Sequence, residues 1–201
     1  MFVWPWAGVS ICHTLTPVGR PARIDRAAVL SEALALADEQ GLDAVTMAAL
    51  ARRLKVTAMA LYRHVANKAD LLDGLVEQLL AQAVRPASEL PWQERLTAYA
   101  IDLRRTARRH PTVFPLLLQR PAATAQARQT RDAICHALAD AGVPEEHTPQ
   151  LQRLLSTAVL GFALSEIAGR FEGQTPQQID ADFQLLLELL LALIQSQRMA
   201  D

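Results

Sequence analysis

The sequence predicts an all-α protein, an N-terminal three-helix head carrying a helix-turn-helix joined to a larger helical bundle. Three observations predict it. The 201 residues are 51% hydrophobic and rich in Ala and Leu, and few segments have a strand-like pattern. Apolar residues recur at three- and four-residue spacing between capping residues and Gly or Pro stops. Thr46 to Lys68, TMAALARRLKVTAMALYRHVANK, reads as two short helices joined by a tight turn.

Residues 1–20 do not match the rest of the chain. They are apolar and start like a secretion signal, but no Lys or Arg precedes Arg20 and no small-residue cleavage site is evident. They are expected to be a disordered extension, or the product of a start assigned too early, with Val18 the alternative start. The first helix is capped by Asp25 and runs to Gln40, with Val29, Leu30, Ala33, Leu34, Leu36 and Ala37 as its apolar stripe. Gly41 is placed as its left-handed stop, with Leu42 supplying the accompanying apolar contact.

Thr46 caps a second helix whose Met47, Leu50, Ala51 and Leu54 share one face. Lys55 and Val56 break the pattern, and Thr57 caps a third helix carrying Leu61, Tyr62 and Val65. Asn67 caps a fourth, with Asp70 in its first turn and Leu71, Leu72, Leu75, Val76, Leu79 and Leu80 as its apolar side. The two prolines of the Arg85 to Pro91 segment end it.

The body is expected as helices over Trp92–Arg109, Pro111–Gln119 (interrupted by Pro115), Ala122–Asp140, Glu145 to about Gly169, and Pro176 to about Gln197. The end of the first is strongly cationic, with Arg104, Arg105, Arg108, Arg109 and His110, which is read as solvated capping of the negative end of the helix dipole. The last is apolar nearly all round, from Phe183 to Ile194, and needs cover on more than one side. Either it lies at the centre of this chain's own bundle, or one face meets the body and another a second subunit.

Charge separates the two parts. Residues 20–70 hold eight Lys/Arg against six Asp/Glu, whereas residues 71–201 hold twelve against fifteen. Between Ala51 and Lys68 stand Arg52, Arg53, Lys55, Arg63 and Lys68 without an acid, the pattern a phosphate backbone attracts. This balance fits a DNA-binding domain at 21–70 and a separate regulatory body at 71–201.

Several chemistries find no residues to carry them. Cys12 and Cys135 suggest neither a disulfide framework nor a metal knuckle, and Cys135 is read as a small buried hydrophobe. The five histidines lack metal-ligand spacing, so no metal and no cofactor are expected. There is no glycine-rich phosphate loop, nucleophile elbow or carboxylate pair placed for acid–base work, so no enzyme is expected. The longest apolar run, Leu185 to Ile194, contains Glu188 and is too short to span a membrane. A cytoplasmic location is the expectation.

The segment from Arg23 to Leu80 resembles the tetracycline-repressor (TetR) family of bacterial one-component transcription regulators. The resemblance lies in Gln40-Gly41-Leu42, then Thr46-Met47-x-x-Leu50-Ala51-x-x-Leu54-x-Val56, then Leu61-Tyr62-x-His64-Val65-x-Asn67-Lys68-x-x-Leu71-Leu72. It implies a homodimeric repressor, bound to a palindromic operator in double-stranded DNA and released by a small-molecule effector, with 71–201 as its ligand-binding and dimerisation domain. Within that reading Thr57, Ala58 and Met59 approach base edges in the major groove, and Arg63 belongs to the same DNA-binding set. Thr46, Tyr62, His64 and Lys68 match phosphate-contacting positions, and Arg20 and Arg23 form a basic arm toward the minor groove.

This chain departs from its relatives in three places. Lys55 replaces the glycine common at the turn, so it either adopts a left-handed conformation or the turn is of another kind. Ala48 stands where some relatives carry a base-reading arginine, and Arg63 where the tetracycline repressor has an aromatic residue. Trp92, Phe114, Phe162 and Phe171 are the candidate walls of an effector pocket. The alternative reading is a helical dimeric adaptor or ligand-binding bundle without sequence-specific DNA binding.

Overall fold

A computed structural model describes residues 24–82, 86–120 and 125–197; the expectations for residues 1–20, Val18 and the arm residues Arg20 and Arg23 lie outside them. Among the described residues the regular structure is entirely helical. The head comprises α1 (Arg26–Gln40), a single 3-10 turn (Leu42–Ala44), α2 (Met47–Arg53), α3 (Ala58–Leu61) and α4 (Lys68–Ala81). The body comprises α5 (Trp92–Arg109), α6 (Leu116–Gln119), α7 (Ala125–Asp140), α8 (Thr148–Ile167) and α9 (Pro176–Gln197).

The predicted caps are made. Asp25, Thr46, Thr57 and Asn67 each accept a hydrogen bond from the backbone N–H three residues on, at 2.8, 3.1, 3.2 and 2.9 Å. Each thereby satisfies one of the donors a helix start leaves open. Gly41 has the positive φ expected of it, 88°, but with ψ at 163° it leaves the helix in an extended form rather than a left-handed turn.

The head's core is built from α1 to α4. Val29, Leu36, Leu50, Leu61, Val65, Leu71 and Leu75 are all essentially sealed from solvent. α1 and α4 lie so close that a Cβ on Gly74 would stand 2.4 Å from Leu30 Cδ2. Glycine in mid-helix costs about 0.5–1 kcal/mol, and here it admits the neighbouring leucine. Val113 and Leu116, from the turn after α5 and from α6, complete the same cluster. The body's cores lie between α5, α7, α8 and α9, around Trp92, Leu138 and Ile194 at one end and Phe183 and Val159 further along.

Two expectations about the body are corrected. Arg104 is not a solvated cap, and Arg108, though exposed, is not free. Arg104, only 7% exposed, donates from Nε and Nη2 to the two carboxylate oxygens of Glu166 at 2.7 and 2.8 Å. Arg108 reaches the same Glu166 and also Asp180. The Arg104 guanidinium further lies over the rings of Phe183 and Phe162, 4.5 and 5.4 Å from their centroids, so the cluster fastens α5 to α8 and α9. The sequence concealed this because the acids lie about sixty and seventy residues away. The usable signal was Glu166 itself, an acid inside the apolar run of α8, where a buried charge demands a partner. Cys135, expected to be buried, is half-buried beside exposed His136, and burial raises its thiol pKa.

Along α9, Phe183, Leu187 and Ile194 are buried. Leu185, Leu189 and Leu193, four residues apart and so on one face, are exposed, Leu189 by 60%. The helix has one covered side and one uncovered apolar side.

Candidate nucleic-acid interface

The turn between α2 and α3 sets the geometry of the helix-turn-helix. Lys55 has φ 55°, so the chain does adopt the left-handed form at a non-glycine residue. Its N–H bonds to Arg52 O at 3.3 Å and the Val56 N–H to Ala51 O at 2.9 Å. This is the paired closure that satisfies the last carbonyls of a helix, and Val56 packs against the head core as its apolar contact. The same closure ends α7 at Gly142 and α8 at Gly169; only here among the described residues does a side chain sit in the left-handed position.

α3 is shorter than the sequence suggests. Its regular part ends at Leu61, and Tyr62 to His64 continue as tighter turns in which the His64 N–H bonds to Leu61 O at 2.8 Å. The cause is a clamp from two neighbouring helices. Arg26 on α1 donates to the His64 carbonyl at 2.9 Å and to both carboxylate oxygens of Asp70, at 3.0 and 2.7 Å. Asp70 in turn accepts the Ala66 N–H at 2.7 Å. The carboxyl is held below the ordinary aspartate range, first by Arg26 and then by the Ala66 N–H. One ion pair thus fixes the end of α3, the start of α4 and their distance from α1.

The structure brings the sequence-predicted residues into one short segment. Thr57, Ala58 and Met59 are exposed in succession, with Met59 at 73% the most open large apolar residue of the described chain. Tyr62 is 48% exposed, so it is not a core aromatic. Arg63 and Lys68 are exposed, and His64 is half-buried with its backbone held by Arg26. Thr46 stands apart at the start of α2, exposed, its hydroxyl oxygen engaged in capping.

One of the five cations is withdrawn from this surface. Arg53 is bound by Glu32 and, through Nη1 at 2.6 Å, by Glu39, both on α1; these acids raise its pKa, Glu39 the more strongly. Arg52, Lys55, Arg63 and Lys68 are exposed, and none of them takes part in an ion pair among the described residues. The charge available to a phosphate backbone is therefore four rather than five.

A cavity of about 230 Å³, partly open to solvent, lies between α4, α5, α6, α7, α8 and α9. Leu103, Leu155, Val159 and Leu190 give it an apolar wall, and Thr106, Gln152 and Ser156 supply polar groups. None of the four expected aromatic walls lines it. Trp92 packs with Leu138 and Ile194, Phe114 with Ala107 and Ala163, and Phe162 against Phe171 and Phe183. Tyr99 is the aromatic that reaches the cavity. Leu79 of α4 belongs both to the head core and to the cavity wall, and Leu117 of α6 packs against the head core while lining the same space.

Comparison with known proteins gives concordant matches. Residues 29–75 match the pattern of bacterial regulatory proteins of the tetR family, and residues 96–190 that of the tetracyclin repressor-like C-terminal domain. The chain is 34% identical over 157 residues to the tetracycline repressor protein class E of Escherichia coli, covering 73% of this chain and 71% of that protein. With an HTH-type transcriptional regulator of Saccharopolyspora erythraea it shares 29% over 147 residues, 73% of this chain but 62% of that protein's length.

Among solved structures, a TetR variant from Acinetobacter baumannii in complex with minocycline superposes with a TM-score of 0.76 at 29% identity, covering 88% and 99% of the two chains. BioQ with its natural double-stranded DNA operator superposes with a TM-score of 0.69 at 25% identity, covering 86% and 99%.

Proposed function

The chain belongs to the TetR family of DNA-binding, ligand-responsive transcription regulators, and from that premise we propose that it is a homodimeric repressor released from a palindromic operator by a small molecule. The observation that carries the reading is the segment Thr57–Lys68. It is an exposed turn-and-helix edge flanked by unpaired cations and held rigidly by Arg26 and Asp70.

We assign Thr57, Ala58, Met59 and Arg63 to base edges and Thr46, Tyr62, His64 and Lys68 to the phosphate backbone. Residues 21–70 carry DNA binding and residues 71–201 carry the effector and the subunit contact, with α4 extending from one into the other. The solved relatives with minocycline and with an operator support the two kinds of ligand.

The effector site is the cavity between α4 and α9, since a concave, mostly apolar space with a few polar groups is the ordinary form of a small-molecule site. A ligand lowers operator affinity only as far as it prefers the head arrangement that does not fit the operator. The uncovered face of α9, Leu185, Leu189 and Leu193, is the subunit contact, and a dimer places two heads on two half-sites. No helix among the described residues is long and apolar enough to cross a membrane. We place the protein in the cytoplasm with its DNA.

The test is selection of bound fragments from genomic DNA, followed by a gel shift with the enriched sequence at several salt concentrations. A palindromic enriched sequence with steep salt dependence is expected. Failure to enrich any sequence would defeat the regulator reading. Light scattering that gave the mass of one chain at micromolar concentration would defeat the dimer.

A further inference from the structure

The surface that this reading turns toward the bases is unusual in what it lacks. Thr57, Ala58 and Met59 are consecutive and exposed, and they end in a methyl, a methyl and a thioether. The Thr57 hydroxyl oxygen already accepts the Ala60 N–H at 3.2 Å, so capping occupies one of its two acceptor positions and the methyl is its other exposed group. None of the three can embrace guanine through two hydrogen bonds or pair with adenine as an amide does, and Ala58 and Met59 offer the cytosine amino group no strong acceptor. Met59 is 73% exposed, so its thioether and terminal methyl are open to a groove.

The major-groove edge of a base pair presents one apolar feature, the 5-methyl group of thymine. Arg52, Lys55, Arg63 and Lys68 surround the same segment with exposed positive charge, complementary to a duplex and to no apolar protein surface. Resting on the DNA-binding reading above, we propose that the Thr57–Met59 edge recognises thymine methyl groups, so that the base pairs it covers in each half-site are A·T pairs selected by hydrophobic contact. Met59, flexible and polarisable, adapts to the methyl it meets. Arg63 is the one side chain of this edge equipped to read a guanine, and it marks the outer limit of the A·T stretch.

The experiment uses the full-length chain and duplexes enriched from a randomised library. Thymines in the enriched half-site are replaced one at a time, at both symmetry-related positions, by deoxyuridine, which pairs identically but lacks the 5-methyl group. Loss of one buried methyl-sized group corresponds to about three- to fivefold in affinity, and the symmetric pair to about tenfold or more. At one or two positions deoxyuridine is expected to weaken binding by this amount. Met59→Ala should abolish the sensitivity at one of them while leaving the melting temperature unchanged, as expected of an exposed residue.

Equal affinity for thymine and deoxyuridine duplexes at every position would overturn the proposal. So would invariant G·C pairs at the half-site positions whose recognition is lost in Met59→Ala. Failure to enrich any duplex would instead remove the DNA-binding reading, and the methyl contact with it.

Discussion

The imidazole Nδ1 of His110 lies 2.8 Å from the carboxylate Oδ2 of Asp38, so the residue that closes the first helix of the body is hydrogen-bonded to the first helix of the head. His110 is 4% exposed. Its Nε2 faces Gln82 at the end of α4 at 3.4 Å, and its carbonyl receives the N–H groups of Val113 and Phe114. Val113 enters the head core and Phe114 a body core. His110→Ala removes a buried side chain and leaves Asp38 without that partner, and should lower unfolding free energy by about 2 kcal/mol. Urea unfolding measures the loss. A change below about 0.5 kcal/mol, the scatter of ordinary surface substitutions, would show that the contact does not hold the two parts together.

Glu166 sits between two arginines. Burial pushes its carboxyl up, but the hydrogen bonds and charges of Arg104 and Arg108 outweigh burial and leave it below the ordinary glutamate value. Asp180 is held down chiefly by Arg108. A carboxylate with a lowered folded pKa contributes its full stability above its unfolded value, about 4.3 for glutamate. That contribution fades as pH falls from there through the folded value. Glu166→Gln is expected to cost about 3 kcal/mol at neutral pH, because it leaves the buried Arg104 without its main counter-charge. From about pH 4, near the unfolded glutamate value, the variant and the parent should begin to converge, meeting only below the lower folded value. Parallel stability curves from pH 7 to pH 3, spanning roughly the carboxylate range, would contradict the assignment.

Lys55 adopts a conformation that costs an L-residue about 1–2 kcal/mol, part of which glycine returns through the greater freedom of its unfolded chain. Lys55→Gly should therefore raise stability by about 0.5–1 kcal/mol, seen as a higher denaturation midpoint with an unchanged slope. It should also weaken DNA binding modestly, since one exposed cation is gone. A lower midpoint would show that the lysine side chain supplies more than charge.

Lys68→Ala is predicted to weaken binding to specific and non-specific duplexes alike and to reduce the salt slope by about one. Competitive gel shifts at three or more salt concentrations measure both. If specificity falls and the slope does not change, Lys68 reads bases rather than phosphate.

Ala100 is a small, buried residue on the cavity wall. Ala100→Phe fills part of the space an effector requires. Because Leu79 of α4 shares that wall, the readout is dye binding rather than operator affinity. Binding of an apolar fluorescent dye to the body should drop sharply. Undiminished dye binding would place the site elsewhere.

The head was readable because its signals are local. Asp25, Thr46, Thr57 and Asn67 each bond a group three residues away, and such pairs show in the order of residues. The limits of α5 and α9 were equally plain from Arg109-His110-Pro111 and Pro176. What could not be read depends on partners distant in the chain. Arg53 looked available until α1 brought Glu32 and Glu39 against it, and α3 looked longer until Arg26 seized the His64 carbonyl. The aromatic residues were sensible candidates for pocket walls, but large rings are most stable where they are fully packed, and that is where Trp92 and Phe114 went. The cavity was left to leucines, threonines and one tyrosine, whose spacing alone cannot distinguish a hollow from a core.

α4 also has a mechanical meaning. Lys68 begins it and Leu79 lies near its other end, and at about 1.5 Å per residue they stand about 16 Å apart along the axis. A tilt of about 6° pivoting at Leu79 swings Lys68 by about 1.7 Å over that length. A hydrogen bond to a phosphate oxygen tolerates only a few tenths of an ångström, roughly 0.5 Å in all. On the proposed reading, a small displacement at the cavity would be magnified by this lever into a lost phosphate contact at Lys68. The bonds of Arg26 to Asp70 and to the His64 carbonyl tie α1 and the end of α3 to α4, and on that reading they would carry the head with the helix.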